Sequence, residues 1–357
     1  MRIPFIHKCS PGHLASAAAR GHLALVFFLV LPLGLTGCPS GSKPNNNSGA
    51  QDGQKTPPVS TASPQTAQAA MPFDGERAFE HVRRQVEIGP RPAGSAELAR
   101  TREYIAGELK SYGLNVTEDE FSATTPVGEK RFVNVMAEIA GESGDLVLLA
   151  SHYDTKPIKE FRFVGANDGA SSTGALLEIA RVLAANPQKP RFTYRIVFFD
   201  GEEAFCFDWD ECRNPNGPDN TYGSRHYVAQ LKEKNESQRV RAVILLDMVG
   251  YKDLRFGRDA EMSTPWLIEV VWRTARELGH GAQFVDTIEG VGGDDHEPFL
   301  RAGIESVDII QLTTYPFWHT AEDTLDKISP HSLKIVGDVL LASLPRIEQR
   351  LQSKAAS

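Results

Sequence analysis

The chain has 357 residues, 41% of them hydrophobic, with 38 Lys+Arg against 46 Asp+Glu and a formal charge of −8 at pH 7. That is enough apolar material to bury a full core, and the length allows one large domain or two small ones. An acidic body argues against nucleic acid as a partner.

The first stretch stands apart from any core. Arg2, Lys8 and Arg20 precede an apolar run from Leu23 to Leu35 that is too short for a membrane span. The run ends in Leu35-Thr36-Gly37-Cys38, which resembles a bacterial lipobox. The resemblance implies a lipoprotein signal peptide over residues 1–37, lipid on Cys38, and a place in the bacterial cell envelope on the outer face of a membrane. Pro39 favours the outer membrane where one exists. The competing reading is an uncleaved signal anchor. Residues 38–72 are rich in Pro, Ser, Thr, Asn, Gln and Ala and read as a disordered tether, too poor in apolar groups to offset ordering entropy. Losing the three leader cations takes the charge from −8 to −11.

Four cysteines remain to be placed. Cys9 lies in the leader and Cys38 carries lipid. Cys206 and Cys212 are left in a compartment that permits disulfides, and their short separation suits a loop staple. A zinc knuckle would need more Cys or His close by, and none is there.

From residue 73 the pattern becomes that of a folded body. Asp74 is placed to cap a helix with Phe79, Val82 and Val86 at helical spacing, broken by Gly89-Pro90-Arg91-Pro92-Ala93-Gly94. Ser95 caps a second helix with Leu98, Ile105, Leu109 and Tyr112 on one face, ended by Gly113. Strands follow at Val116–Phe121 and Phe132–Ile139. Leu146–Ala150 is a continuous apolar run, hence a fully buried strand, and it delivers Ser151-His152-Tyr153-Asp154. A loop of small residues, Gly165 to Ser172, carries Asp168 and precedes a helix marked by Leu176, Ile179, Ala180 and Leu183. Tyr194–Phe199 is a buried strand that stops at Asp200-Gly201 and leads directly into Glu202-Glu203. Val243–Leu246 is another, ending at Asp247. A helix over Trp266–Leu278, Asp294-Asp295-His296 before a short helix at Phe299-Leu300, a strand at Val307–Ile310, the Trp318-His319 segment and a long helix from Pro330 complete the chain. Strands alternate with helices without a linker, so residues 73–357 read as a single catalytic domain, an α/β sandwich around a mostly parallel sheet.

The chemistry-bearing residues fall at strand exits: His152, Asp168, Glu202, Glu203, Asp247, Asp294 and His319. Parallel strands aim their carboxyl ends at one edge, so these groups converge. Adjacent buried carboxylates are costly without a cation or shared protons. Histidines mixed with carboxylates suit zinc, whereas carboxylates alone would suit magnesium or calcium. Asp154 reads as a group orienting His152, and Asp200 as a turn former. His296 reads as a supporting or helix-capping residue, and His226, His280 and His331 as solvated. Serine chemistry lacks a Gly-x-Ser-x-Gly elbow.

The blocks His152-Tyr153-Asp154, Asn167-Asp168-Gly169, Gly201-Glu202-Glu203, Leu246-Asp247 and His319-Thr320 resemble those of the zinc-dependent exopeptidase family that contains bacterial aminopeptidases. Phe199 to Phe205, Tyr222 to His226, Asp294 to Arg301 and Trp318-His319-Thr320 resemble more narrowly its animal-type glutaminyl cyclase branch. The resemblance implies a three-layer α/β/α sandwich around a mixed, mostly parallel sheet. It implies one zinc on Asp168, Glu203 and His319, Glu202 as general acid/base, and Asp247 and Asp294 as its hydrogen-bonded partners. Trp318 and Trp209 would be walls of the substrate pocket. In the two-zinc aminopeptidases His152 and Asp247 would hold a second metal, with Asp168 bridging. Two features depart from the cyclase pattern. The loop Cys206–Tyr222 is longer, and Ser151 and Thr173 stand where the animal enzymes have a disulfide.

The expected activity is conversion of the N-terminal glutamine of peptides to pyroglutamate with release of ammonia, by a monomer whose partners are peptide N-termini. The alternative is a zinc aminopeptidase hydrolysing N-terminal residues. A lipid-anchored binding protein that has lost its chemistry is disfavoured by the intact Glu202, Asp168 and His319.

Overall fold

The computed structural model describes residues 71–355 apart from 208, 210 and 213–216. The leader, Cys38 and the tether up to residue 70 lie outside the described residues. Phe73 is the first residue committed to the core: it is buried, and an added Cβ on Gly337 would meet its ring at 2.2 Å. Helix α1 (Gly75–Ile88) starts where Asp74 accepts the backbone N–H of Glu76 and Arg77. Helix α2 (Ala96–Ser111) is capped by Ser95, which accepts from Leu98. The two strands expected next are β1 (Val116–Thr125) and β2 (Gly128–Ile139), and they form one long antiparallel hairpin.

The rest of the chain alternates as expected: β3 (Ser143–His152), α3 (Ala170–Ala184), β4 (Phe192–Phe199), α4 (Tyr222–Glu233), β5 (Val240–Asp247), β6 (Phe256–Arg258), α5 (Pro265–Glu277), β7 (Phe284–Ile288), α6 (Glu297–Arg301), β8 (Ser306–Ile310) and α7 (Pro330–Ala355). Helix α4 and the small β6–β7 pair are additions to the elements legible from periodicity. The main sheet runs β1-β2-β4-β3-β5-β8. Strands β4, β3, β5 and β8 are mutually parallel, while β1 and β2 are antiparallel. The sheet is therefore mixed and mostly parallel.

Strand β3 shows why a continuous apolar run was needed. Leu146, Leu148 and Ala150 join a core with Tyr227, Val228 and Leu231 of α4 and Phe299 of α6. Val147 and Leu149 point the other way, into a core with α1, α2, α3, α5 and α7. Helices thus cover both faces, and each fully buried Leu or Val contributes about 1.5–3 kcal/mol. The chain passes from β3 to β4 on one side and then to β5 on the other, so β3 is the point at which the winding reverses. Open α/β sheets place their sites at the carboxyl ends of strands beside such a point.

One histidine far from that edge links α1 to α2. His81 is buried and shares hydrogen bonds with the hydroxyls of Tyr104 at 2.6 Å and Tyr112 at 3.2 Å. Burial, with Arg77 adding repulsion, holds its pKa down at about 4. The unfolded chain takes up this proton near 6.5 and the native chain only near 4. Its stabilising contribution is therefore present above pH 6.5 and lost as pH falls towards 4. His81→Gln is expected to remove up to about 3 kcal/mol of acid sensitivity, read as the change in urea-unfolding free energy between about pH 7 and pH 4.5. An unchanged pH dependence would place the acid-sensitive group elsewhere.

Candidate active site

The parallel strands deliver their side chains as the pattern demanded. His152 ends β3, in register with Phe199 at the end of β4, and Asp247 ends β5 opposite Ile310 of β8. After Phe199 the chain turns at Gly201, whose φ is 73° and whose added Cβ would lie 2.4 Å from the Phe132 ring. Asp200 fixes that turn by accepting the N–H of Val133 at 2.8 Å. The turn aims Glu202 and Glu203 back across the sheet edge. Asp154 accepts the backbone N–H of both, at 3.2 and 3.3 Å. Its Oδ1 also lies 3.5 Å from His152 Nδ1, so it orients the ring as well.

Asp168 sits at the centre. Its Oδ1 is 3.3 Å from His152 Nε2, and its Oδ2 is 3.3 Å from His319 Nε2. Glu203 Oε1 is also 3.3 Å from His319 Nε2. On the other side His152 Nε2 is 3.1 Å from Asp247 Oδ1. Two ligand sets result, each with its atoms within 4.8 Å of one another: Asp168, Glu203 and His319, and His152, Asp168 and Asp247. Two carboxylates and an imidazole with one side open suit a zinc ion that keeps a position for substrate. Asp168 Oδ2 is buried, and its 3.3 Å contact with His319 Nε2 is a long one, as befits a pair of ligand atoms arranged for a cation. His319 adopts φ 52°, a backbone strain of about 1–3 kcal/mol that proteins retain mainly at functional positions.

The electrostatics of the cluster are those of a site short of positive charge. Burial, followed by Glu203, Asp294 and Asp295, pushes the Glu202 carboxyl well above its ordinary range while His152 pulls it down. Burial and Asp247 push Asp294 up to about 6. Burial also raises Asp247, against the pull of His152. Asp168 goes the other way: burial would raise it, but hydrogen bonds from His152 and His319 hold it low. Burial would depress His319, yet Glu203 and Asp168 raise it to about 10. Lys156, itself buried, adds one fixed cation, 3.9 Å from Glu203 Oε2.

A cavity of 900 Å³ opens over these groups. Asp168, Glu202, Glu203, Asp247, Asp294 and His319 line it, as do Trp209 and Trp318. Trp318 is 44% exposed, and its ring stacks on His319 with centroids 4.2 Å apart. It is a wall of the cavity and not core packing. Cys206 and Cys212 are joined in a disulfide and staple the loop that carries Trp209 and the exposed Phe207. His152 is buried beneath the cavity floor and does not line it.

Several supports escaped the sequence reading. Arg91, in the segment read only as a helix breaker, is completely buried. Its guanidinium donates to the carbonyls of Gly89, Val164 and Gly165 at 3.1, 2.8 and 3.2 Å, pinning the loop that leads to Asp168. The Asp323 carboxylate accepts the backbone N–H of Asn167 at 2.8 Å and of Asp168 at 3.1 Å, and the Tyr315 hydroxyl at 2.6 Å. It therefore sets the direction of the Asp168 side chain. His226 is not simply solvated: it stacks on Phe121 at 3.9 Å and faces Asp119 at 3.4 Å. His296 stands at the start of α6 without a side-chain cap. It lies instead among Asp259, Asp294 and Asp308.

An α/β/α sandwich with an acidic, histidine-bearing cluster at the carboxyl edge of its parallel strands is the architecture of a zinc-type metalloenzyme. Residues 134–344 match the profile of peptidase family M28, and the chain belongs to that family. It is similar to a glutaminyl-peptide cyclotransferase-like protein of Bos taurus, 32% identical over an alignment of 284 residues that covers 71% of this chain and 71% of that one. Among solved structures it is similar to an Acidobacteriales bacterium glutaminyl cyclase, with TM-score 0.72 and 35% identity, covering 84% of this chain and all of that one. It is also similar to a leucine aminopeptidase precursor from Bacteroides thetaiotaomicron, with TM-score 0.70 and 31% identity, covering 77% of this chain and 98% of that one.

The purified protein is expected to contain zinc, measured by plasma emission, and an Asp168→Ala, His319→Ala double variant is expected to lose most of it while retaining a native circular dichroism spectrum. Full zinc content in that variant would place the ligands elsewhere.

Proposed function

We propose that the protein is a zinc-dependent glutaminyl-peptide cyclotransferase, acting on the N-terminal glutamine of peptides, with one zinc held by Asp168, Glu203 and His319. The observation that carries this reading is Trp318, half-exposed and stacked on the ligand His319 at the mouth of the site. An indole there offers a flat wall for a small N-terminal side chain.

Asp168, Glu203 and His319 would hold the zinc ion, which would supply Lewis-acid polarisation of the side-chain amide carbonyl. The residues of the chain supply the rest. The cavity holds the glutamine folded, so that its α-amine nitrogen faces Cδ, the carbonyl carbon of its own side-chain amide, and this proximity supplies much of the rate. The new bond joins the α-amine nitrogen to Cδ, and the bond that breaks joins Cδ to the amide nitrogen. Glu202 takes the proton released by the α-amine and hands it to the departing nitrogen, which leaves as ammonia. A carboxyl pushed upward by burial holds that proton between the two steps. Asp294, itself pushed up by Asp247, adds to the local field that sustains this shift.

Two observations support one ion over two. Asp247 Oδ1 already accepts the Met248 N–H at 2.8 Å and lies against His152. His152 is closed off from the cavity. The second reading, an aminopeptidase with Glu202 activating water, is favoured by the complete His152, Asp168, Asp247 set. The proposal extends to residues 73–357 as the catalytic domain of a monomer, and to lipid on Cys38 as its envelope anchor, supported by the sequence that precedes it. No helix among the described residues is long and apolar enough to cross a membrane.

Incubation with a Gln-peptide is expected to give loss of ammonia by mass spectrometry. Glu202→Gln should slow the reaction by about 10²–10⁴-fold. Trp318→Ala should lower cyclisation by more than about tenfold in kcat/KM with zinc content unchanged. Two zinc ions per chain and free residues released from Leu- or Ala-peptides, without pyroglutamate, would replace the cyclase by the aminopeptidase.

A further inference from the structure

The cavity is much larger than one N-terminal residue requires. At 900 Å³ it is at the upper end of cavities that enclose drug-sized ligands. Its metal end is acidic, which suits an incoming α-amine. Its other wall has the opposite character. Helix α4 lends Arg225, Val228, Ala229 and Lys232 to the lining, at i, i+3, i+4 and i+7, a single helical face. Arg301 at the end of α6 joins them. The one carboxylate on this wall, Glu297, accepts from Arg301 Nε at 3.0 Å.

The three cations are not equivalent. Arg225 is committed to the rim: its Nε donates to the Asn220 carbonyl at 3.0 Å and its Nη2 to the Pro218 carbonyl at 2.9 Å. Lys232 is exposed and has no ion-pair partner among the described residues. The Arg301 side chain is 76% exposed and pairs through Nε and Nη2 with Glu297 Oε1, which leaves Arg225 and Lys232 as the net positive charge of the wall. In a chain of formal charge −8, the wall leading off from the catalytic group is locally basic.

Its distance from the chemistry follows from the helix. The Thr221 N–H donates to the Glu202 carbonyl at 2.9 Å, so α4 begins beside the catalytic carboxylate. Lys232 lies ten residues beyond Tyr222, about 15 Å along the axis at 1.5 Å per residue. An extended peptide covers that span in about four to five residues at 3.3 Å each. The lysine side chain reaches back by one or two of these.

We propose that the wall formed by α4 and α6 is a subsite for the peptide that follows the N-terminal residue, and that it selects carboxylates at about the third to fifth positions. The carboxylate is either an acidic side chain or the free C-terminus of a short peptide. The product expected from such a substrate rests on the cyclase reading, whereas the charge preference does not.

The test compares four Gln-peptides of equal length with the purified protein. Three are C-terminal amides carrying Ala, Glu or Lys at positions three to five, and the fourth is the Ala peptide as a free acid. The Glu amide should exceed the Ala amide by about three- to tenfold in kcat/KM at low salt, through KM, with the Lys amide lowest. The preference should shrink as salt screens it. Preference for the Ala acid over the Ala amide, without preference for Glu, would make a free C-terminus the recognised group. In a Lys232→Glu, Arg301→Glu variant the order should invert. Equal kcat/KM across the wild-type series, unchanged by the double reversal, would overturn the subsite. The product separates this from the activity: hydrolysis to free glutamine with the acidic preference intact keeps the subsite and sinks the cyclase. Cyclisation without charge preference does the reverse.

Discussion

Too many carboxylates are buried at one edge of the sheet for the histidines and the single lysine beside them to neutralise. Asp168, Glu203, Glu202, Asp247 and Asp294 are all buried, and Asp154, Asp295, Asp308 and Asp323 stand close behind. Left alone, such a cluster would take up protons or unfold. Burial and neighbouring carboxylates, Asp294 in each case among them, drive Glu202, Asp295 and Asp308 upward. A cation held by Asp168, Glu203 and His319 would relieve that tension while leaving Glu202 free to hold a proton. The rest of the molecule keeps this costly arrangement in place.

The devices that do so are polar and buried. Arg91 spends its guanidinium on backbone carbonyls and lends positive charge towards Asp154, Asp168 and Asp323. Asp154 accepts the backbone N–H groups of Glu202 and Glu203, and Asp323 those of Asn167 and Asp168, so both hold the backbone from which cluster side chains project. Gly169 contributes by what it lacks. Its φ is 80°, and an added Cβ would lie 2.7 Å from the Asp154 carbonyl and 3.1 Å from the His152 ring. A satisfied network of this kind specifies one geometry, at the cost that removing any member strands another.

The aromatic rim and the basic wall belong to a different layer of the design. Trp209 and the basic wall sit on the stapled loop, on α4 and on α6, whereas Trp318 belongs to the segment after β8 beside His319, and the other cluster residues come from strand exits and the loop before α3. Substrate selection can therefore vary with surface residues while the charged floor stays fixed. This is consistent with relatives in one family bearing both cyclase and peptidase names.

What the sequence determined by itself is the periodic and the local. Continuous apolar runs at β3, β4 and β5 announced buried parallel strands, and parallel strands make their exits meet, so His152, Asp168, Glu202, Glu203, Asp247 and His319 were legible as one cluster. Caps at Asp74 and Ser95 were legible because a cap is set by neighbours two or three residues away. Tertiary structure alone decided the rest. Arg91 and Asp323 act over long sequence separations on backbone groups, which leave no mark in side-chain pattern. Helix α4 hides because its polar face borders the cavity and only Tyr227, Val228 and Leu231 meet the core. Whether Trp318 is core or wall, and whether Lys232 and Arg301 share a cavity with Asp168, Glu203 and His319, depends on which surfaces the sandwich leaves uncovered. That is a property of how the layers pack, and no stretch of residues carries it alone.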